Sequence, residues 1–163
     1  MILVALGANL TSPIHGGPVE TLTAALAEMV VQGIEIEARS RWYETAPVPV
    51  SDQPWYVNGV ARVRTALGPA ALLARLHEIE ATFGRVRIMV NGARVIDMDL
   101  LAYGDRIEAG WPVLPHPRLQ ERAFVLLPLR DVAPDWRHPA TGEDIGTMLA
   151  RIGPEQRTRL LKM

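Results

Sequence analysis

The chain contains no cysteine. That excludes disulfides, zinc–thiolate sites and thiol nucleophiles. A basic excess is missing too: 17 Lys and Arg stand against 18 Asp and Glu, for a net charge of −1. Nucleic-acid binders usually carry a basic surplus, so no nucleic-acid partner is expected. Long apolar runs are also absent. The opening segment MILVALGANL has no basic residue and breaks at Gly7 and Asn9, too soon for a signal peptide or a membrane span. A cytoplasmic protein with no membrane partner is therefore expected. No internal repeat or low-complexity tract is visible. What is present suffices for a core: 163 residues, 48% hydrophobic and 21% charged, fit a single domain over 1–163 rather than a disordered chain.

Met1 to Ala8 is continuously apolar and predicts a central strand buried on both faces. Pro18 opens a helix with Val19, Leu22, Leu26, Met29 and Val30 at helical spacing, and Gly33 closes it. Ile34 onward alternates and predicts a strand reaching about Tyr43. The proline-rich run 45–54 reads as a stiff loop. A strand follows, with Val57, Gly59, Ala61 and Val63 on one face and Asn58, Val60, Arg62 and Arg64 on the other. Gly68-Pro69 opens a second helix whose buried face is Leu72, Leu76, Ile79 and Phe83. Residues 103–107 read as a turn into another short strand. The tail from Asp135 reads as a turn at 140–142 and a short helix around 144–152, with no chemistry assigned to it.

The stretch richest in chemistry is GRVRIMVNGARVIDMD, residues 84–99. Arg85, Arg87 and Arg94 suit phosphate, because the guanidinium fork donates two parallel hydrogen bonds and stays charged. Val95–Leu101 predicts a strand. Asp97 and Asp99 then share one face, roughly 6–7 Å apart along the backbone, while Ile96, Met98 and Leu100 take the other. Two such carboxylates suit Mg²⁺, which commonly binds one or two carboxylates plus substrate phosphates. The combination points to phosphoryl chemistry on a metal–nucleotide complex.

Other candidates are weaker singly. Asn58, beside Tyr56 at a strand start, could pair with the edge of a flat heterocycle or cap the loop backbone. His77 and Glu80 lie three apart on the second helix, and Glu80, in its last turn, calls for a partner such as a loop arginine. Pro115 and Pro117 hold His116 in extended backbone. His116 and Arg122 could reach a nucleotide phosphate or belong to a structural loop. His15 is left unassigned.

Taken in order, these segments resemble the 6-hydroxymethyl-7,8-dihydropterin pyrophosphokinase family of folate biosynthesis. The resemblance rests on Leu6–Leu10, Tyr43–Pro47, Asp52–Pro54 with Tyr56–Asn58, Glu80 with Gly84–Arg87, Gly92–Asp99, and Pro115–Pro117 with Arg122–Phe124. It implies an α/β (α+β) sandwich of ferredoxin-like type, with a mainly antiparallel sheet flanked by helices. It implies transfer of pyrophosphate from ATP to the pterin hydroxymethyl group, with AMP released. Asp97 and Asp99 look like ligands of two Mg²⁺ ions, and with Arg85 and Arg94 make up the catalytic set. Pro47, Val48, Tyr56, Asn58 and Phe124 look like the pterin pocket. His77, Glu80, Arg85, Arg87, Arg94, His116 and Arg122 look like the ATP side, with Leu100 contacting adenine through its main chain. The partners implied are these small molecules alone, bound by a monomer.

The chain departs from the family at one place. Where members usually carry an Arg-Trp-Gly-Pro-Arg run, this chain has Val90-Asn91-Gly92-Ala93-Arg94. Loss of the arginine and the indole predicts looser closure and slower chemistry. The rival readings are a divergent paralogue using the same Mg–ATP site on another alcohol, and a pterin-binding protein without catalysis.

Overall fold

The computed structural model describes residues 1–47, 51–84 and 95–162. The expected positions Val48, Arg85, Arg87 and Arg94, and the departure at Val90-Asn91, lie outside the described residues.

The apolar opening is strand β1, Ile2–Ala8, and six of its seven residues are buried. Pro18 and Gly33 bracket helix α1, Pro18–Val31, and Gly33 has φ 86°. Its buried stripe is Thr21, Leu22, Ala25, Leu26 and Met29. Val30, expected in that stripe, is instead 56% exposed. It lies one residue past Met29, a further 100° around the helix, beyond the apolar arc.

The strand expected from Ile34 to Tyr43 is broken in two. Strand β2, Glu35–Arg39, and strand β3, Tyr43–Thr45, both pair antiparallel with strand β4, Tyr56–Arg64. The break has a visible cause. Ser40 Oγ accepts the Val60 N–H at 2.9 Å, and the Trp42 ring crosses β4 at Gly59, where a Cβ would stand 2.5 Å from it. The side chain of Ser40 thus supplies pairing that the main chain would otherwise provide.

Helix α2, Pro69–Thr82, follows, and then strand β5, Asp97–Tyr103. The expected buried face of α2 is present: Leu72, Leu76, Ile79 and Phe83 are all buried. The short strand expected after Tyr103 is reduced to a single bridge, Glu108 with Leu114. A 3₁₀ turn, Leu119–Glu121, helix α3, Ala123–Val132, helix α4, Ile145–Ala150, and strand β6, Thr158–Leu160, complete the described elements.

The strands form one sheet in the order β5-β1-β4-β3-β6, with β2 also on β4, and every pairing is antiparallel. The order β5-β1-β4-β2/β3, with α1 and α2 as crossovers, is the ferredoxin-like arrangement. Helices cover both faces. The core on the α1/α2 face contains Leu22, Met29, Leu72, Leu76, Met98 and Leu100. The core on the α3/α4 face contains Leu3, Val60, Leu101, Leu126, Leu129 and Met148. The central position of β1 follows from its near-continuous apolar sequence.

Candidate active site

A cavity of 460 Å³ opens on the α3 face, at the end of the sheet where β1 stops. Its floor comes from Ala5 and Gly7 of β1. Their small side chains leave room where Leu3, on the same face, fills the core. Register places Ala5 opposite Asp99, and Gly7 opposite both Asp97 and Asn58.

One wall is β5. Asp97 and Asp99 are half-buried and face the cavity, while Ile96, Met98 and Leu100 are buried on the other side. The face division expected from the sequence is therefore present, although the strand starts at Asp97 rather than Val95. A β-bulge in β5 shifts the register between Leu3–Ala102 and Val4–Leu100. Leu101, two residues past Asp99, shares the cavity side, and its carbonyl accepts the His116 N–H at 2.8 Å. That hydrogen bond ties the His116 segment to the edge of β5.

His116 is bracketed by prolines, and the Leu114–Pro115 bond is cis. Its Nδ1 accepts the Arg118 N–H at 3.2 Å, which leaves Nε2 as the protonated nitrogen of the neutral ring. Burial, reinforced by Arg122 and Arg118, pushes the imidazole down to about 4 against the opposing pull of Asp97. At neutral pH it is an uncharged donor. Arg122 sits at the N-cap of α3, with its guanidinium carbon 5.5 Å from the Phe124 ring centre. Burial and Arg118 lower its pKa, and Asp99 and Asp97 oppose them.

The other wall is β4. Tyr56 and Asn58 line the cavity, and Asn58 is only 6% exposed. Its Nδ2 has no hydrogen-bond partner among the described residues. A Cβ on Gly7 would come within 2.8 Å of Asn58 Oδ1, so glycine is what lets this amide lie flat against β1. The loop before β4 is tied to the end of β1: Asn9 Nδ2 donates to Gln53 Oε1 at 3.2 Å and to the Pro54 carbonyl at 3.1 Å.

The cavity brings together Tyr56, Asn58, Asp97, Asp99, His116, Arg122 and Phe124 from the expected set. Four other expected residues lie outside it. Pro47 is buried directly after Ala46, which does line the cavity. Glu80 is 2% exposed; its Oε1 accepts the Met98 N–H at 3.2 Å and stands 4.0 Å from His77 Nε2. The loop arginines expected as a partner for Glu80 lie outside the described residues; among the described ones, β5 and His77 both contact it. Leu100 is buried, leaving only its main chain for a ligand. His15, left unassigned, stacks on Phe83 with ring centres 4.6 Å apart.

The tail, read as carrying no chemistry, contributes Glu155 and Gln156 to the cavity wall. Both lie in a turn before the three-residue strand β6, where no periodic signal reveals them.

Among the described residues, no group of three or more His, Asp or Glu could hold a metal ion alone. Two half-buried carboxylates facing one cavity still fit Mg²⁺, whose remaining ligands are typically water and substrate phosphate. The orphan donor of Asn58, with Tyr56 and Phe124 nearby, fits a planar heterocycle carrying an acceptor on its edge.

Residues 3–134 match the family model described as 7,8-dihydro-6-hydroxymethylpterin-pyrophosphokinase (HPPK). The 2-amino-4-hydroxy-6-hydroxymethyldihydropteridine pyrophosphokinase of Synechocystis sp. is 41% identical over 92% of this chain and 75% of its own length. The enzyme of that name from Methylorubrum extorquens is 40% identical over 93% and 92%. Folic acid synthesis protein fol1 of Pneumocystis carinii is 38% identical over 93% of this chain, which spans only 20% of that protein. A crystal structure of Plasmodium falciparum HPPK-DHPS shares the fold, with a TM-score of 0.68 at 14% identity, covering 92% of this chain and 44% of that one. No described helix is long and apolar enough to cross a membrane. With the expected strand, cavity and aspartate pair in place, these matches show that the chain belongs to the 7,8-dihydro-6-hydroxymethylpterin-pyrophosphokinase family.

Proposed function

We propose that the chain transfers pyrophosphate from ATP to the hydroxymethyl oxygen of 6-hydroxymethyl-7,8-dihydropterin and releases AMP, as a step of folate biosynthesis. One observation carries the reading. A single cavity has an orphan amide donor and two aromatic rings at one side and a carboxylate pair at the other, with half-buried Arg122 lying over the Phe124 ring.

Asn58 and the rings of Tyr56 and Phe124 orient the heterocycle, by edge pairing and stacking. The hydroxymethyl oxygen attacks the β-phosphorus, the bond from that phosphorus to the α,β-bridging oxygen breaks, and the hydroxyl proton leaves to solvent. Asp97 and Asp99 would hold Mg²⁺, read here as two ions; the chemistry supplied on binding is neutralisation of phosphate charge. Arg122 adds a fixed positive charge, and neutral His116 offers an Nε2–H donor to a phosphate oxygen. Arg85, Arg87 and Arg94 are assigned to the phosphates, His77, Glu80 and the Leu100 main chain to ATP, and Pro47 and Val48 to the pterin. We read the chain as a single-domain, monomeric, cytoplasmic enzyme, and sedimentation in solution tests the monomer.

The deciding experiment incubates the chain with ATP, Mg²⁺ and hydroxymethyl-dihydropterin, and separates the nucleotides. AMP formed one-for-one with pterin diphosphate is expected. ADP in its place would mean single-phosphoryl transfer, and no pterin-dependent nucleotide product would overturn the reading.

A further inference from the structure

Gln156 lies outside the segment matched by the family model, yet it lines the cavity. Its carboxamide is engaged at both ends. Oε1 accepts the Ala123 N–H at 3.0 Å, and Nε2 donates to the Glu121 carbonyl at 2.5 Å. Ala123 begins α3, so its N–H has no partner inside that helix. The residue between these two anchors is Arg122, and the residue after them is Phe124. One side chain therefore secures the main chain on both sides of the cavity arginine.

The next residue secures the opposite wall. The Arg157 carbonyl accepts the Ala46 N–H at 3.0 Å and the Thr45 hydroxyl at 3.0 Å. Thr45 and Ala46 line the cavity, and Pro47 follows them. β6 then pairs Thr158 with Thr45 and Leu160 with Tyr43. A main-chain carbonyl makes no demand on the side chain at 157. The demand falls on residue 156, where a side chain must offer an acceptor and a donor together at this reach.

We propose that Gln156 is a positioning residue for the start of α3, the segment that carries Phe124 toward the heterocycle and Arg122 toward the phosphates. It holds Arg122 and Phe124 against the wall formed by Thr45 and Ala46, so the cavity keeps its width before ligand arrives. This rests on the pterin pyrophosphokinase reading given above. The gain is preorganisation: a site whose supporting contacts are loose must be ordered by the ligand, at the expense of affinity.

Two variants separate positioning from packing. Gln156→Met keeps the volume and removes both hydrogen bonds; Gln156→Glu keeps the acceptor and loses the donor. For each, calorimetry gives the affinity for hydroxymethyl-dihydropterin and for MgATP, AMP release gives KM and kcat, and hydrogen exchange reports the Ala123 amide. Gln156→Met is expected to weaken pterin binding about tenfold, to weaken MgATP binding less, and to expose the Ala123 amide to faster exchange, with the melting temperature little changed. Gln156→Glu, which sets a carboxylate oxygen against the Glu121 carbonyl in place of the donor, should weaken pterin binding at least as much as Gln156→Met. Pterin affinity and KM within about twofold of wild type in Gln156→Met would overturn the proposal. A wild-type chain that forms AMP separates that result from failure of the activity reading. A wild-type chain that neither binds pterin nor forms AMP would remove both.

Discussion

Asn58 illustrates how a single residue can be placed for a ligand rather than for the fold. Its Nδ2 is buried with no partner among the described residues, and leaving such a donor unpaired costs on the order of 1–3 kcal/mol. A heterocycle edge would recover that loss. Asn58→Ala should therefore weaken pterin binding by about 1–3 kcal/mol while leaving MgATP binding nearly unchanged, as measured by calorimetry. Equal loss of both ligands would make Asn58 a structural residue. His116 yields a pH prediction. Burial lowers its folded pKa to about 4, below the ordinary 6.5. Between those values the unfolded chain takes up a proton that the folded chain refuses. Its contribution to stability is thus complete above pH 6.5 and is lost as pH falls toward 4. In the ligand-free protein its imidazole resonances should not titrate between pH 8 and about 5, and His116→Gln should flatten this part of the acid loss of stability. A normal imidazole midpoint would refute the prediction.

At the level of elements, β5 and the pairing of β4 with β2 and β3 decide the site. Asn is nearly isosteric with Asp, and both β5 carboxylates face the cavity rather than the core. Asp97→Asn and Asp99→Asn should each abolish AMP formation with an unchanged far-UV spectrum; near-wild-type turnover in either would dissociate the pair from the metal. Gly59→Ala places a Cβ 2.5 Å from the Trp42 ring, and overpacking of that kind destabilises by about 1–3 kcal/mol, readable as a lower urea midpoint. Strands β1, β4 and β5, helices α1 and α2, and the face division of β5 were legible because hydrophobic period and Pro/Gly punctuation record which side meets a core. The break between β2 and β3 was not legible. It depends on Ser40 and Trp42 meeting Val60 and Gly59 some 20 residues away, and no local pattern encodes that. Nor was the tail's share of the cavity, since Gln156 acts through two main-chain groups more than thirty residues distant. The site residues in the cavity were legible by type and by resemblance; the hydrogen bond that ties His116 to Leu101 was not.

Across the whole molecule, one sheet separates two cores with different tasks. Leu76 and Leu126 are both fully buried, one on each face. Truncating either to alanine should cost about 2–5 kcal/mol, measured by urea unfolding. Only Leu126→Ala, on the helix that carries Phe124, should also raise the KM for pterin in the folded protein; equal effects on KM from both would mean that the two layers are mechanically coupled. The pairing of β3 with β6 has a consequence for how the protein comes into being. Thr45 and Thr158 are 113 positions apart, yet their hydroxyls meet in the finished sheet. At 5–20 residues per second, a ribosome needs roughly 6–20 s to travel that distance. Tyr56, Asn58, Asp97, Asp99, His116, Arg122 and Phe124 are all made within that interval, and the tail that braces the cavity comes after them. The braces from Gln156 and Arg157 are therefore the last parts of the cavity to be translated, added to walls whose residues already exist.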